Sequence, residues 1–257
     1  MKSLEKIINK LNEVIKMKIV SWNCRSGFYN QGKYKKIKEL DADIYVILEF
    51  NTPKDTDEEY QEFIKNKKVL MYYDDDIGGL NKGIAIIANE DIELKDNDWY
   101  YDHNDFLSVR VDDSFDLVAV WTHEQVKEDG EWVKKGNNEY IKHIEEYLKN
   151  YKDELINSDN LVMCGDFNID MALDNKKDKD YFIRLLNEYG YESIYHKEFD
   201  EKIGEESTKT FFNKDGAFYI DYLFSKPEII SSFEVGDKEE YVDKWSDHVP
   251  LIFEVNI

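Results

Sequence analysis

Apolar segments of this chain repeatedly end in a polar side chain able to hold a cation or carry a proton. Ile19-Val20-Ser21-Trp22 runs into the amide of Asn23, and Tyr45-Val46-Ile47-Leu48 into the carboxylate of Glu49. Val120-Trp121-Thr122 leads to the imidazole of His123. Val162-Met163-Cys164-Gly165 leads to Asp166 and, past Phe167, to Asn168. Asp221 sits within the apolar stretch 219–224, and Asp247-His248 stands just before Val249-Pro250-Leu251. Carboxylate and amide oxygens suit hard cations, and an imidazole beside an acid moves protons. Taken singly, such an acid is a turn former or a helix cap. Their recurrence argues for one site, because a charge at the edge of a buried sheet is costly unless it is paired or coordinated to metal.

The elements that must position these groups can be read from periodicity. Strands are expected at 18–23, 43–49, 83–88, 106–111, 115–122, 161–165, near 210–212, 219–224 and 249–255. Residues 43–49 form a near-continuous apolar run, the pattern of a strand buried on both faces. Helices are expected over 33–40, 137–151 and 178–189; in the second, Tyr140, Ile141, Ile144, Tyr147, Leu148 and Tyr151 share one face. Strands interleaved with helices imply a layered α/β domain whose strand ends carry the site. Leu4, Ile7, Ile8, Leu11 and Ile15 fall at helical spacing, so residues 1–16 read as an amphipathic helix packed on a single domain over 17–257. His103, His143 and His196 match no motif and are expected at the surface or in loops.

Composition limits the function classes. Apolar residues make up 42% of 257, too many for a disordered chain. The net charge of −22 repels polyanions at long range, which counts against a protein that coats DNA electrostatically. A nuclease acting through a local patch stays open. Cys24 and Cys164 form neither a disulfide framework nor a CxxC zinc pair. No apolar run reaches the roughly 18 residues of a membrane span, and no signal-like segment opens the chain. A cytoplasmic monomer is the expectation.

Taken in order, several motifs resemble those of the endonuclease/exonuclease/phosphatase superfamily, the deoxyribonuclease I-like fold. Trp22-Asn23 is similar to its first-strand W/F-N motif, and Glu49 to its metal-binding Glu. Lys82-Gly83-Ile84-Ala85-Ile86 resembles its G-V/I-A-I/L strand, and Thr122-His123 the pair of its His-bearing branches. Gly165-Asp166-Phe167-Asn168 matches G-D-F/L-N, Thr210-Phe211 with Ile220-Asp221-Tyr222 matches T-F/W with I-D-Y/R, and Ser246-Asp247-His248-Val249-Pro250 matches S-D-H-x-P. These matches span 18–255. Each is weak alone; the last three together are specific.

The resemblance implies a four-layer α/β/β/α sandwich of two packed mixed β-sheets, an α+β fold. It implies a metal-dependent phosphodiesterase, a nuclease acting on DNA or RNA by in-line water attack, with a phosphomonoesterase or inositol/lipid phosphatase as the alternative and a catalytically inactive binding module as a third reading, which the retained acids, amides and His248 argue against. Glu49, Asn23 and Asp247 would hold Mg2+ or Mn2+. His248 would act as base or hydrogen-bond donor, oriented by Asp221. Asp166 and Asn168 would hold a second ion or orient the water. Arg25, Asn168 and His123 would face the substrate phosphate, Arg25 having a solvated loop position as its equal alternative. The substrate would be nucleic acid, or else a phosphorylated small molecule. The apurinic endonuclease branch carries Q-E-x-K around the metal Glu and a Tyr in place of His123. Here the segment is Leu48-Glu49-Phe50-Asn51, which speaks against specific abasic-site repair. Residues 74–79 and 126–136 are candidate specificity loops.

Overall fold

Two runs of parallel pairing, each needing a crossover, set the architecture. The computed structural model describes residues 16–51, 58–74, 82–100, 105–123, 137–172 and 176–257. The strands are β1 (Lys16–Asn23), β2 (Ile44–Asn51), β3 (Lys67–Asp74), β4 (Lys82–Asn89), β5 (Leu94–Asp96), β6 (Phe106–Val111) and β7 (Phe115–Trp121). They continue with β8 (Leu161–Asp166), β9 (Glu192–Ser193), β10 (Phe211–Asn213), β11 (Gly216–Phe218), β12 (Asp221–Ser225), β13 (Ile230–Val235) and β14 (Leu251–Asn256). The helices are α1 (Lys33–Lys38), α2 (Glu58–Ile64), α3 (Asn137–Asn150), α4 (Lys152–Asn157), α5 (Lys176–Glu188), α6 (Ile194–Phe199) and α7 (Lys238–Tyr241).

Among the described residues, one sheet has the order β13-β14-β1-β2-β4-β3 and the other β5-β6-β7-β8-β12-β9; β10 and β11 form a hairpin. Between the named strands of the described residues, pairing is parallel for β1 with β2, whose crossover contains α1, and for β7 with β8, whose crossover contains α3 and α4. This topology explains why the polar strand ends meet. Parallel β1 and β2 finish at the same edge, with Asn23 and Glu49. Parallel β7 and β8 finish together, with His123 just past one and Asp166 closing the other. β12 runs antiparallel to β8 and begins at Asp221, directly opposite Asp166. β14 runs antiparallel to β1, so the Asp247-His248 approach to it lies where β1 ends.

Alternation of side chains sorts the core. Ile19, Val46, Leu48 and Ile86 join the cluster that includes Val118, Met163 and Leu223 of the other sheet. Their neighbours Val20, Tyr45, Ile47 and Ile87 pack instead with Tyr34 and Ile37 of α1 and Tyr60 and Phe63 of α2. Ile144, Tyr147 and Leu148 of α3 and Phe182 and Leu186 of α5 cover the second sheet. The result is the expected four-layer sandwich of mixed sheets. Each large side chain fully buried in it contributes about 1.5–3 kcal/mol.

The expected strands and helices recur with shifted ends, but β3, β13, α2 and α7 were not expected. Lys16 already belongs to β1, pairing with Asn256, and residues 1–15 lie outside the described residues, as do His103 and nearly all of the two expected specificity loops. Short or half-polar elements such as β5, β9, β11, α4 and α6 carry too few apolar positions for periodicity to reveal them. No described helix is long and apolar enough to cross a membrane.

Candidate active site

Backbone distortions aim the polar groups inward. Glu49 has φ +53° at a register shift between Leu48 and Phe50, a bulge that leaves it outside the ladder with β4. Bulges and left-handed non-glycine residues cluster where a side chain must be re-aimed. Asn168 also has positive φ, +52°, and its N–H donates to Asp166 Oδ1 (2.9 Å) while its Nδ2 donates to the Thr122 carbonyl (2.5 Å). Gly165 lies against β7 so closely that a Cβ would meet the Val120 carbonyl oxygen at 2.0 Å. Only glycine allows that approach, which brings Asp166 beside the end of β7.

His248 is held between two carboxylates. Its Nδ1 lies 2.9 Å from Asp221 Oδ2 and its Nε2 3.8 Å from Asp166 Oδ2. Its carbonyl accepts from Trp22 Nε1 (3.0 Å), and its N–H donates to Ser246 Oγ (3.2 Å), whose own hydroxyl donates to the Asn23 carbonyl (2.8 Å). All three titratable groups are buried. Burial works against a charged imidazole, yet Asp221 and Asp166 outweigh it and raise the His248 pKa to about 9. Burial and the facing Asp221 charge push Asp166 up to about 7. Two carboxylates opposed across a ladder repel, and Asn23 relieves this by donating from Nδ2 to Asp166 Oδ2 at 2.9 Å. Thr210 Oγ1 fixes the other acid, accepting from the N–H groups of Ile220 and Asp221 at 3.0 Å each.

A cavity of about 280 Å3 opens in front of these groups, lined by Glu49, His123, Asp166, Asn168, Asp247 and His248 among others. Asn23 and Asp221 stand behind its wall. Among the described residues, Asp166, Asp221 and His248 bring three candidate ligand atoms within 4.8 Å of one another. This trio differs from the metal set expected from sequence. With Nδ1 of His248 bonded to Asp221, it is better described as a hydrogen-bonded charge network. Glu49 and Asp247 supply hard carboxylate oxygens on the same cavity, a donor set that fits Mg2+ or Mn2+. Asn23 turns its amide oxygen to the Arg25 N–H (2.9 Å) and its Nδ2 towards Asp166 and Glu49, so it braces both acids.

His123 is buried and carries a second carboxylate. Its Nδ1 lies 2.8 Å from Asp105 Oδ1 and 3.1 Å from the Trp121 carbonyl, and its ring stacks on Trp121. Asp105 was not anticipated, and neither was its second partner: His143 Nδ1 lies 2.5 Å from Asp105 Oδ2. The expected surface position of His143 is therefore corrected. Tyr140, His143, Ile144 and Tyr147 follow i, i+3, i+4, i+7 spacing, which places His143 on the buried face. His196 is corrected likewise: its Nε2 lies 2.9 Å from the buried Glu206 and its Nδ1 2.7 Å from Ser193 Oγ, at the start of α6.

Two cations meet the candidate metal carboxylates. Arg25 is exposed, and its Nε lies 3.2 Å from Asp247 Oδ2. Lys82 Nζ lies 2.5 Å from Glu49 Oε2. This lysine answers the departure noted around Glu49. Asn51 occupies the lysine position of Q-E-x-K, and Lys82 is its register partner on β4, so the ammonium reaches the same acid from the neighbouring strand. Burial alone would raise the Glu49 pKa, but Lys82 lowers it below the ordinary carboxylate value. Pairing register, invisible in a single motif, was the signal that could have found it.

Residues 20–248 match the Endonuclease/Exonuclease/phosphatase family. The chain belongs to this family. Family membership makes it one of a group of phosphoric ester hydrolases, and the cavity with its buried acid–imidazole cluster occupies the strand-end edge of the sandwich. No curated protein is significantly similar in sequence. The 3′ phosphatase NExo from Neisseria, solved with a product DNA hairpin, has 17% identity and a TM-score of 0.67, over 94% of this chain and 100% of that one. An AP endonuclease from Archaeoglobus fulgidus has 16% identity and a TM-score of 0.66 over 94% and 100%. The endonuclease domain of TRAS1, a telomere-specific non-LTR retrotransposon, has 16% identity and a TM-score of 0.62 over 94% and 99%. At these identities the likeness establishes the fold.

Proposed function

We propose that this member of the family is a divalent-metal-dependent phosphodiesterase, a nuclease that hydrolyses DNA or RNA by in-line attack of water. The observation that carries the reading is the clamp on His248, with Asp221 at Nδ1 and Asp166 facing Nε2, on a cavity shared with Glu49, Asn168 and Asp247. Asp221 fixes the tautomer, so that Nε2 is the nitrogen presented to the cavity. His248 then donates to a phosphoryl oxygen as charge builds there. Asp166 receives the proton of the attacking water, which the Asn168 amide helps to orient, while the P–O bond opposite the water breaks and the leaving oxygen takes its proton from solvent. His123, held by Asp105, approaches the phosphate from the other side, and Arg25 makes a contact at the rim.

Glu49 would be the principal ligand for Mg2+ or Mn2+, with Asp247 beside it and Asn23 bracing the set. When bound, the ion supplies charge neutralisation at the phosphoryl oxygens. The neighbours support nucleic acid as substrate, since one binds a product DNA hairpin. The net charge of −22 supports a second reading, a phosphomonoesterase acting on a phosphorylated small molecule. A panel of single-stranded, duplex and abasic DNA, RNA and inositol phosphates, each with and without EDTA, tests both. Cleavage of polynucleotide that EDTA abolishes is expected. Release of phosphate from inositol phosphates alone would replace the first reading by the second, and activity indifferent to EDTA would overturn the metal assignment.

A further inference from the structure

Beside the catalytic cavity runs a larger open groove of about 1040 Å3. One wall is the β10–β11 hairpin, with Phe212 and Lys214; the other is α7 and the loop leading to Asp247, with Lys238, Lys244 and Trp245. The groove is continuous with the site, because Arg25 and Asp247 line it. The hairpin is also tied to the catalytic loop: the Phe212 N–H donates to the Asp247 carbonyl (2.8 Å), and Val249 N–H to the Thr210 carbonyl (2.9 Å).

The charge of the groove is opposite to that of the molecule. Arg25, Lys33, Lys214, Lys238 and Lys244 line it against Asp215, Asp243 and Asp247, in a chain of net charge −22. Lys33 is buried and donates to the carbonyls of Cys24 and Ser26. Lys214, Lys238 and Lys244 are exposed and form no ion pair with the described residues. Lys238 Nζ lies 5.0 Å from the centre of the Phe212 ring. Phe212 and Trp245 are half-buried, each anchored in a wall and facing the groove in part. Cations spaced along a cleft with aromatic faces between them hold a flexible phosphodiester chain: the ammonium groups follow the backbone and the rings stack on unpaired bases. A duplex, whose bases already stack on each other, has no use for the rings. A small phosphorylated molecule would call for buried, convergent donors, whereas these lysines are exposed and spread over two walls.

We propose that this groove binds the single-stranded nucleic-acid segment flanking the scissile phosphodiester, with phosphates on Lys214, Lys238 and Lys244 and bases against Phe212 and Trp245. The assignment rests on the phosphodiesterase reading for its position, but its binding is measurable without turnover. The test uses fluorescence anisotropy in EDTA with labelled strands of roughly 12 nucleotides, DNA and RNA as separate arms and duplex as a third. The triple variant Lys214→Gln/Lys238→Gln/Lys244→Gln should bind single strands roughly 10-fold or more weakly at low salt, with the slope of log K against log salt reduced by about 2, from ~0.7 per phosphate contact. Trp245→Ala should weaken binding roughly 10-fold, and Trp245→Phe should restore most of it. Turnover of bis(p-nitrophenyl) phosphate, which cannot span the groove, should stay within about 2-fold of wild type, since none of these groups touches the reacting phosphate. Wild-type affinity and salt slope in the triple variant would overturn the proposal, as would duplex binding as tight as single strand. Absence of any ester hydrolysis would strike the phosphodiesterase reading and leave the binding result standing.

Discussion

Two histidine–carboxylate constellations face one cavity with inverted composition. At His248 a single imidazole lies between two acids, Asp221 at 2.9 Å and Asp166 at 3.8 Å. At Asp105 a single acid lies between two imidazoles, those of His123 at 2.8 Å and His143 at 2.5 Å. In both, the acid sits at Nδ1 and fixes ring orientation. The surplus differs. The His248 cluster has an acid to spare, Asp166, which lines the cavity and can take a proton. In the Asp105 cluster the surplus member is an imidazole, His143, which comes from α3 and is buried against the fold. On the proposed mechanism, the first constellation would move a proton and the second would hold a ring in place.

The comparison breaks first at His248. Its replacement in His248→Ala removes the proposed donor to the phosphate and the partner of both acids. General acid–base groups are worth 10²–10⁴-fold, so kcat should fall about 10³-fold under saturating substrate and metal. Turnover near wild type would remove His248 from the mechanism. Asp221→Asn keeps the shape but presents an amide to Nδ1, so the tautomer is no longer enforced. A loss of about 10²-fold in kcat is expected, with KM little changed, because substrate contacts are intact. If KM rose instead and kcat held, Asp221 would act in binding, and the contrast between the two constellations would lose its basis.

Most of the first constellation was legible in the chain, and most of the second was not. Asp166, Asp221 and His248 each close or open an apolar strand, and a charge at a buried edge stands out against that background. Asp105 precedes β6 with no distinguishing motif, and His143 lies 38 positions away on a helix. Their meeting depends on how α3 packs over the second sheet, which periodicity does not specify. Lys82 shows the same limit: a strand was expected from the next residue, over 83–88, but the contact of Lys82 with Glu49 follows from the β2–β4 register. The sandwich itself was readable because its strands are long and apolar. The short elements were not, since two to seven residues give little period to detect, and the eight-residue edge strand β3 was missed as well, because Lys67-Lys68-Val69-Leu70-Met71 shows no alternation.

A smaller catalytic effect, with a larger structural one, is expected at Asp105. Asp105→Asn should cost about 10-fold in kcat, through misorientation of His123, an effect at the low end for a positioning group. It should also destabilise the fold by about 3 kcal/mol, because an amide cannot accept from both buried imidazoles as the carboxylate does. The pH dependence of that cost has a definite sign. Burial alone would raise the Asp105 pKa, but His123 and His143 hold it below the ordinary carboxylate value. A carboxyl whose folded-state pKa is depressed contributes stability above its unfolded value and loses it as pH falls through the folded one. The stability difference between wild type and Asp105→Asn, from urea midpoints, should thus be full at pH 7 and shrink progressively below about pH 5. A difference that grew on acidification would mean that the acid is not held ionised by its two imidazoles.

The smallest effect on activity separates the two imidazoles that share Asp105. His143→Gln retains a donor of similar reach but removes the ring from the buried face of α3. His143 is absent from the cavity lining, whereas His123 is part of it. If the second constellation only holds its inner ring in place, Asp105 still has His123 and kcat should stay within about 3-fold of wild type, while the loss of packing costs about 1–2 kcal/mol in stability. A double-mutant cycle with Asp105→Asn then isolates the pair: the stability losses should be less than additive, by 0.5–3 kcal/mol, as for residues in one network. Should His143→Gln instead lower kcat as far as Asp105→Asn does, with stability unchanged, the outer imidazole would be a working member of the site, and both constellations would move protons.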